Sequence, residues 1–330
     1  MAKEHILPLI FYKSSGYTNN HSHVNSNGEA SLRCRKVDLY RSMITVGNPS
    51  FISKQKIREY GLARTIYSSV VEKVGIVFEN IQSDRNGMRL HPIYHSHVSD
   101  KKRIVSYNLG MAFAKLYAEK LLDIPSLVHV ESLKVLGTIE FVDPEEGRGR
   151  EPDLVGQCSN GDWHVFEAKG MSTNQLNAKI LSAKEQVQRI ESIDGIPPQT
   201  LNACATYFNN DRILTYLVDP ESKKEKRYKV KREKFIDSSY KPIFLFQDAL
   251  NKKLELRIED GFRYYAINLE AKGLNLTVGI EEEIHDLIQQ GELFKFPSSL
   301  RSKLAGQRSQ ERESNYSIGS DGIIVKYRDY

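Results

Sequence analysis

Two short β-rich runs joined by an Asn-Gly turn constrain this chain more than any other feature. Residues 152–158 read PDLVGQC and residues 163–169 read WHVFEAK, with Ser159-Asn160-Gly161-Asp162 between them. An Asn-Gly pair flanked by such runs specifies a tight hairpin, because both residues accept the left-handed backbone that the turn demands. The hairpin lays the two strands antiparallel, so Asp153 at the start of the first lies beside Glu167 and Lys169 near the end of the second. Glu167 and Lys169 are two residues apart and share one face of the strand. His164 falls on the other face. Two carboxylates and an ammonium are thus expected to converge at one end of a hairpin.

The flanking sequence predicts a layered α/β setting. Residues 107–122 place Leu109, Phe113, Leu116, Tyr117 and Leu121 at helical spacing. Residues 128–142 are β-rich, and residues 143–151 (DPEEGRGRE) form a charged turn. Ser172, Thr173 and Asn174 are candidate helix caps. From there to residue 193, Leu176, Ile180, Ala183, Val187 and Ile190 form one apolar stripe, and Asp194-Gly195-Ile196-Pro197-Pro198 stops it. Residues 201–208 and 213–218 read as strands. The order over 105–218 is helix, strands, hairpin, helix, strand. Before it, residues 1–104 read as a mixed α/β region, with a polar loop at 16–29, a strand at 75–80, and an element at Ala63, Tyr67 and Val71 whose type the pattern leaves open. After it, residues 219–330 open on a basic run. They continue through strands at 243–246, 254–258 and 263–268 and a helix at 280–289, and end in a polar stretch at 298–320 expected to fray.

Phosphodiester hydrolysis needs the residue types gathered at the hairpin. Two carboxylates and the backbone carbonyl of Ala168 make a hard oxygen site suited to Mg²⁺ or Mn²⁺. Such an ion activates water and neutralises charge on the phosphate, and a neighbouring lysine orients or deprotonates that water. Pro152-Asp153, thirteen intervening residues, then Glu167-Ala168-Lys169 resembles the PD-(D/E)XK motif of restriction-endonuclease-like nucleases. The resemblance covers about 115 of the 330 residues. It implies an α/β (α+β) fold with a central mixed sheet flanked by helices, embellished at both ends. It further implies that Asp153 and Glu167 bind metal together with the Ala168 carbonyl, and that Lys169 is catalytic. Relatives in that superfamily carry a further acid in the first core helix, for which Glu119 is the candidate here. RecB-type nucleases carry a Gln-x-x-x-Tyr motif on the helix after the lysine; here Gln186 is followed four residues on by Ile190, a departure from that pattern. Gln186 and Lys184 stand as accessory candidates for substrate contact.

The activity so implied is Mg²⁺-dependent endonuclease cleavage of nucleic acid, DNA in preference to RNA, in a bacterial or phage restriction or defence setting. A homodimer, or a partner subunit supplying recognition or an ATPase, goes with that setting, since the chain has no GxxxxGK[ST] of its own. The alternative is a non-catalytic subunit that keeps a nuclease-like fold to hold nucleic acid or a partner. A third is a nuclease controlled by a ligand or partner through the N-terminal region. The net charge of +5 only permits nucleic acid. The run at 223–234 (KKEKRYKVKREK) carries eight basic residues in twelve and is the candidate backbone clamp, through Lys223, Lys224, Lys226, Arg227, Lys229, Lys231 and Arg232, with Tyr228 placed for base stacking. A solvated loop or a guarded edge strand explains the same run. Cys34, Cys158 and Cys204 are too few and too scattered for a disulfide framework or structural zinc. His21, His23, His91, His95 and His97 lack companions at zinc spacing. No run of about 18 apolar residues is present, so a cytoplasmic location is the default and no membrane partner is expected.

Overall fold

The computed structural model describes residues 8–18, 28–46, 58–84, 87–142, 150–172, 175–259, 261–271, 274–292, 300, 302–306 and 315–327. In chain order its elements are β1 (Leu9–Ser15), β2 (Gly28–Arg33), α1 (Lys36–Thr45), α2 (Leu62–Asn80), β3 (Ile81–Asp84), β4 (Gly87–Leu90), a single turn α3 (Ile93–Ser96), α4 (Ser99–Leu122), β5 (Ser126–His129), α5 (Val130–Val135), β6 (Ile139–Phe141), β7 (Leu154–Gln157), β8 (Trp163–Gly170), α6 (Leu176–Val187), β9 (Ile190–Ile193), β10 (Thr200–Asn209), β11 (Arg212–Val218), β12 (Lys226–Val230), α7 (Arg232–Leu250), β13 (Glu255–Glu259), β14 (Phe262–Ala271), β15 (Leu274–Glu281), α8 (Glu282–Gln290), β16 (Tyr316–Ile318) and β17 (Ile323–Tyr327). The class is mixed α/β. Among the described residues, no helix is long and apolar enough to cross a membrane.

The expected hairpin forms. β7 and β8 pair antiparallel with Leu154 opposite Phe166 and Gln157 opposite Trp163. The turn closes by Cys158 N–H to the Asp162 carbonyl (3.0 Å) and Gly161 N–H to the Cys158 carbonyl (2.9 Å), and Gly161 takes the positive φ of 91° that makes glycine the fitting residue. The hairpin sits inside a nine-stranded mixed sheet of order β2-β1-β11-β10-β8-β7-β5, with β4 on β11 and β3 on β4. β5 runs antiparallel to β7, and β10 returns parallel to β8 after the α6 crossover. Crossovers of this kind join parallel neighbours because such strands cannot be linked by a tight turn. α4 and α6 pack on both β8 and β10, so β8 is buried on alternate sides from Trp163 through Ala168.

Several expectations are corrected. Residues 75–80 are not a strand but the end of α2. Val70, Val74, Val77 and Ile81 are buried at helical spacing, and this outweighs the β-branched run. Residues 128–142 hold the one-and-a-half-turn α5 between β5 and β6. The helix expected to reach 193 stops at Val187, because Ile190–Ile193 instead pair with β12 as β9. Residues 243–246 lie within α7 rather than in a strand. The stretch 298–320 contains β16 and a helical turn at 302–306. The 104/105 boundary falls inside α4, and β1 pairs in parallel with β11 across it. The 218/219 boundary is bridged as well, since β12 lies between β6 and β9.

The last sheet, of order β13-β14-β15-β17-β16, is antiparallel throughout. Buried charges fasten it to the rest. Arg41 on α1 grips Glu119 on α4 with both terminal nitrogens (2.7 and 2.9 Å) and donates to Ser317 through Nε (3.0 Å). Lys115 on α4 reaches Asp321 (3.2 Å) and the Pro125 carbonyl (2.5 Å). Ser317 donates to Asp38 (2.7 Å) and Tyr240 to the Asp321 carbonyl (2.6 Å). All of these side chains are buried.

Candidate active site

Asp153, Glu167 and Lys169 meet where β7 begins and β8 nears its end. The strands exchange bonds there in a reciprocal pattern: Asp153 N–H donates to Glu167 Oε2 (2.9 Å), and Ala168 N–H donates to Asp153 Oδ2 (3.0 Å). Each carboxylate is thereby held on the backbone of the opposite strand. Lys169 Nζ donates to the remaining oxygen, Glu167 Oε1. In a strand, a residue's N–H and C=O emerge on the same edge. The Ala168 N–H is aimed at Asp153 beyond the last β7–β8 pair, so its carbonyl faces that edge as well. Val130 N–H ties down the Asp153 carbonyl (2.9 Å).

Burial and like charge act together on Glu167. Its pKa is pushed up to about 8, first by burial and then by the Asp153 charge, against the opposing pull of Lys169. Two carboxylates and a carbonyl aimed at one edge, with one ammonium beside them, form a hard oxygen donor set whose charges a divalent cation would balance; the set fits Mg²⁺ or Mn²⁺. Among the described residues no group of three or more His, Cys, Asp or Glu could hold a metal. An ion here would therefore draw the rest of its shell from the Ala168 carbonyl and water, a mode usual for Mg²⁺.

Neighbours that the sequence did not single out complete the surroundings. α4 approaches the end of β8 backbone to backbone. A methyl group on Gly170 would overlap the Ser106 carbonyl, and one on Gly110 would lie 2.6 Å from the Gly170 nitrogen. Only glycine at both positions permits this approach. It carries Tyr107 to the carboxylates: the phenol is pushed up to about 12 by burial, then by Asp153 and Glu167. From the other side, His129 ends β5 and caps α5, accepting from Glu131 N–H (3.3 Å). Burial lowers its pKa while the Asp153 charge opposes the change. Lys73 on α2 is buried and lowered to about 7 by desolvation; it donates to the Val46 carbonyl (3.1 Å). Just past Lys169, a cleft of about 430 Å³ opens, lined by Tyr94, His95, Lys102, Met171, Ser172 and Asp211 among others. Close backbone packing and through-space charge leave no residue spacing to read, which is why these groups escaped the sequence pattern.

Other expected site residues lie elsewhere. Glu119 is on α4, twelve residues and roughly 18 Å of helix beyond Tyr107. Its carboxylate is bound by Arg41 and by the Ser320 N–H (3.1 Å), which corrects its assignment as a metal ligand. Gln186 is buried and donates to the Ser182 carbonyl of its own helix (3.1 Å). α6 begins after Gln175 without a side-chain cap, and Thr173 and Asn174 lie outside the described residues.

The basic run is not one exposed clamp. β12 alternates, so Lys226, Tyr228 and Val230 point inward. Tyr228 stacks on Phe141 (4.8 Å between ring centres), and Lys226 Nζ lies over the same ring (5.4 Å). Neither is presented to a nucleic acid, which corrects both expectations. Lys231 donates to the Gly137 carbonyl (2.9 Å), and Arg232 to Asp194 (3.2 Å). Arg227 lies 4.0 Å from Glu191. Lys223, Lys224, Arg227, Lys229, Lys231 and Arg232 remain solvent-facing.

The histidines form no metal site among the described residues. His95 bonds Asp211 (2.6 Å), His97 bonds Asn80 (2.9 Å), and His91 accepts from Ile93 N–H (3.2 Å). His164 is turned inward onto Thr200 (2.8 Å). His21 and His23 lie outside the described residues. All three cysteines are free and buried. Comparison of the chain with protein-family models, curated proteins and solved structures returns no match.

Proposed function

We propose that this protein is a metal-dependent nuclease that hydrolyses phosphodiester bonds, with Asp153, Glu167 and the Ala168 carbonyl holding the ion and Lys169 acting at the attacked phosphate. The observation that carries the reading is the reciprocal bonding at the hairpin end, Asp153 N–H to Glu167 and Ala168 N–H to Asp153. It fixes two carboxylates against mutual repulsion, which a structural ion pair has no need to do. Supporting it, the sequence β5, β7, β8, α6, β10 behind α4 has the order of helix, strand, hairpin, helix and strand that the PD-(D/E)XK resemblance implies.

A bound divalent ion would supply an activated water and charge neutralisation at the phosphate. The residues of the chain do the rest. Asp153 and Glu167 are set in advance by backbone donors, so little reorganisation is required when substrate arrives. Lys169, freed from Glu167, has its ammonium in reach of the same edge to orient water or to hold a phosphate oxygen. Tyr107 on α4 stands near enough to the carboxylates for their charge to act on its phenol, and Lys102 lines the cleft just past Lys169. DNA is the substrate proposed over RNA on the resemblance alone.

The test is cleavage of plasmid and single-stranded DNA with Mg²⁺ or Mn²⁺. The native chain is compared with Asp153→Ala and Lys169→Ala. Activity should fall on the order of 10³-fold or more in both variants, and EDTA should abolish it. Cleavage that persists in both variants refutes the site. If every version is inactive while nucleic acid is still bound, a non-catalytic binding subunit is the better description.

A further inference from the structure

β13 stands at the edge of the C-terminal sheet and, among the described residues, pairs only with β14. An edge strand presents a row of backbone donors and acceptors, and proteins normally blunt it with charge or cover it. Here two large apolar side chains are left in water on one face, Leu256 at 43% exposure and Ile258 at 60%. The charges on the opposite face follow an order that blunting does not require. Residues 253–259 read Lys-Leu-Glu-Leu-Arg-Ile-Glu, and the signs invert about Leu256.

We propose that β13 is the surface on which two copies of this chain pair, edge to edge and antiparallel, with Leu256 on the twofold axis. In that register Lys253 faces Glu259 of the second copy, Leu254 faces Ile258, Glu255 faces Arg257, and Leu256 faces Leu256. All four charged pairs are of opposite sign, and the apolar residues gather on the other face. An antiparallel pair about a twofold axis is isologous, so one self-complementary segment suffices and the assembly closes at two copies. Centring the pair on Arg257 instead would set Arg257 against itself and Glu255 against Glu259, which like charges directly opposite disfavour. Centring on Leu254 or on Ile258 also opposes unlike charges, but in two pairs rather than four, so the register on Leu256 is the best matched. Intrachain contacts already hold these side chains on the face: Arg257 donates to Asn268 (3.0 Å), and Lys326 to Glu259 (2.6 Å). The two five-stranded sheets would join into one of ten.

The test is sedimentation equilibrium on the full chain, with thermal melts to verify that each variant folds. Arg257→Glu and Glu255→Arg each place like charges opposite one another in the homodimer, and each should weaken dimerisation about tenfold or more. Mixing the two variants restores opposite signs across the axis and should recover the native association, as should the double exchange Glu255→Arg with Arg257→Glu in one chain. A native chain that stays monomeric overturns the proposal and leaves β13 to some other occupant. So does a dimer that neither single variant weakens, or a loss that neither the mixture nor the double exchange repairs.

Discussion

Glu167 and Glu119 are both almost completely withdrawn from water, at 1% and 2% exposure, yet they are built for opposite ends. Glu119 lies at the junction of α1, α4 and the C-terminal sheet, where Arg41 meets it with two nitrogens and Ser320 adds an N–H. Its desolvation is offset by a planar cation of matching shape. Glu167 lies beside a second carboxylate, with Lys169 and one backbone donor as company, and its pKa rises to about 8 through burial and the Asp153 charge. The first arrangement holds elements together. The second holds charge in an unfavourable place, and such placement is commoner at working sites than in scaffolding.

The contrast can be broken from either side. The largest effect is expected at the hairpin: Glu167→Gln should lose the proposed nuclease activity on the order of 10³-fold, while in EDTA at pH 7 its melting temperature should match or exceed that of the native chain, because the cost of keeping this buried carboxyl protonated far above its unfolded pKa is gone. A variant that is both inactive and strongly destabilised would place Glu167 among the scaffold charges instead. Arg41→Ala should do the reverse. It leaves Glu119 in the interior without its cation and should cost about 3–5 kcal/mol, read as a large drop in denaturation midpoint.

Asp219 sharpens the comparison as an intermediate case. Its pKa is raised to about 7 by burial, against the pull of the Leu201 N–H (2.8 Å). A carboxyl whose folded pKa exceeds its unfolded value contributes most below the unfolded value, near pH 4. It loses that contribution as pH rises through about 7. Asp219→Asn keeps an acceptor for Leu201 and should equal the native stability near pH 4. It should exceed it at pH 8 by roughly 1–4 kcal/mol. Equal denaturation curves at both pH values would rule out the burial effect. The smallest change is expected at Lys226, whose ammonium is buried without a hydrogen-bond partner among the described residues. Lys226→Met should leave stability within about 1 kcal/mol and the proposed nucleic-acid binding unchanged. A marked loss of binding would return this residue to the surface clamp.

The hairpin was legible from the sequence because each of its determinants is local. Asn160-Gly161 sets the turn, period-two alternation sets the faces, and the count between Asp153 and Glu167 sets their meeting. The helix and the strand that follow β8 were legible for the same reason, although not the end of α6 at Val187 or the parallel pairing of β10 with β8. Elsewhere distant partners decided. Ile190–Ile193 continue the apolar stripe of α6, yet pair with β12. Lys226 and Tyr228 look like parts of a basic, stacking surface, yet face Phe141 because β12 became the middle strand of its sheet. Glu119 lies on the helix where the resemblance places a further acid, and only the arrival of α1 and the turn after β16 turned it to Arg41.

By itself, then, the sequence determined the mixed α/β class through its element patterns, and the hairpin and the convergence of Asp153, Glu167 and Lys169 through chain geometry over fewer than twenty residues. It also wrote the inverted charge order of residues 253–259. Tertiary structure alone decided that Tyr107 and His129 border the carboxylates, that Gly110 and Gly170 let α4 touch the end of β8, and that Glu119 is bound by Arg41. Those facts depend on which surfaces meet across the fold, and burial and charge at such meetings are set by partners that no local spacing encodes.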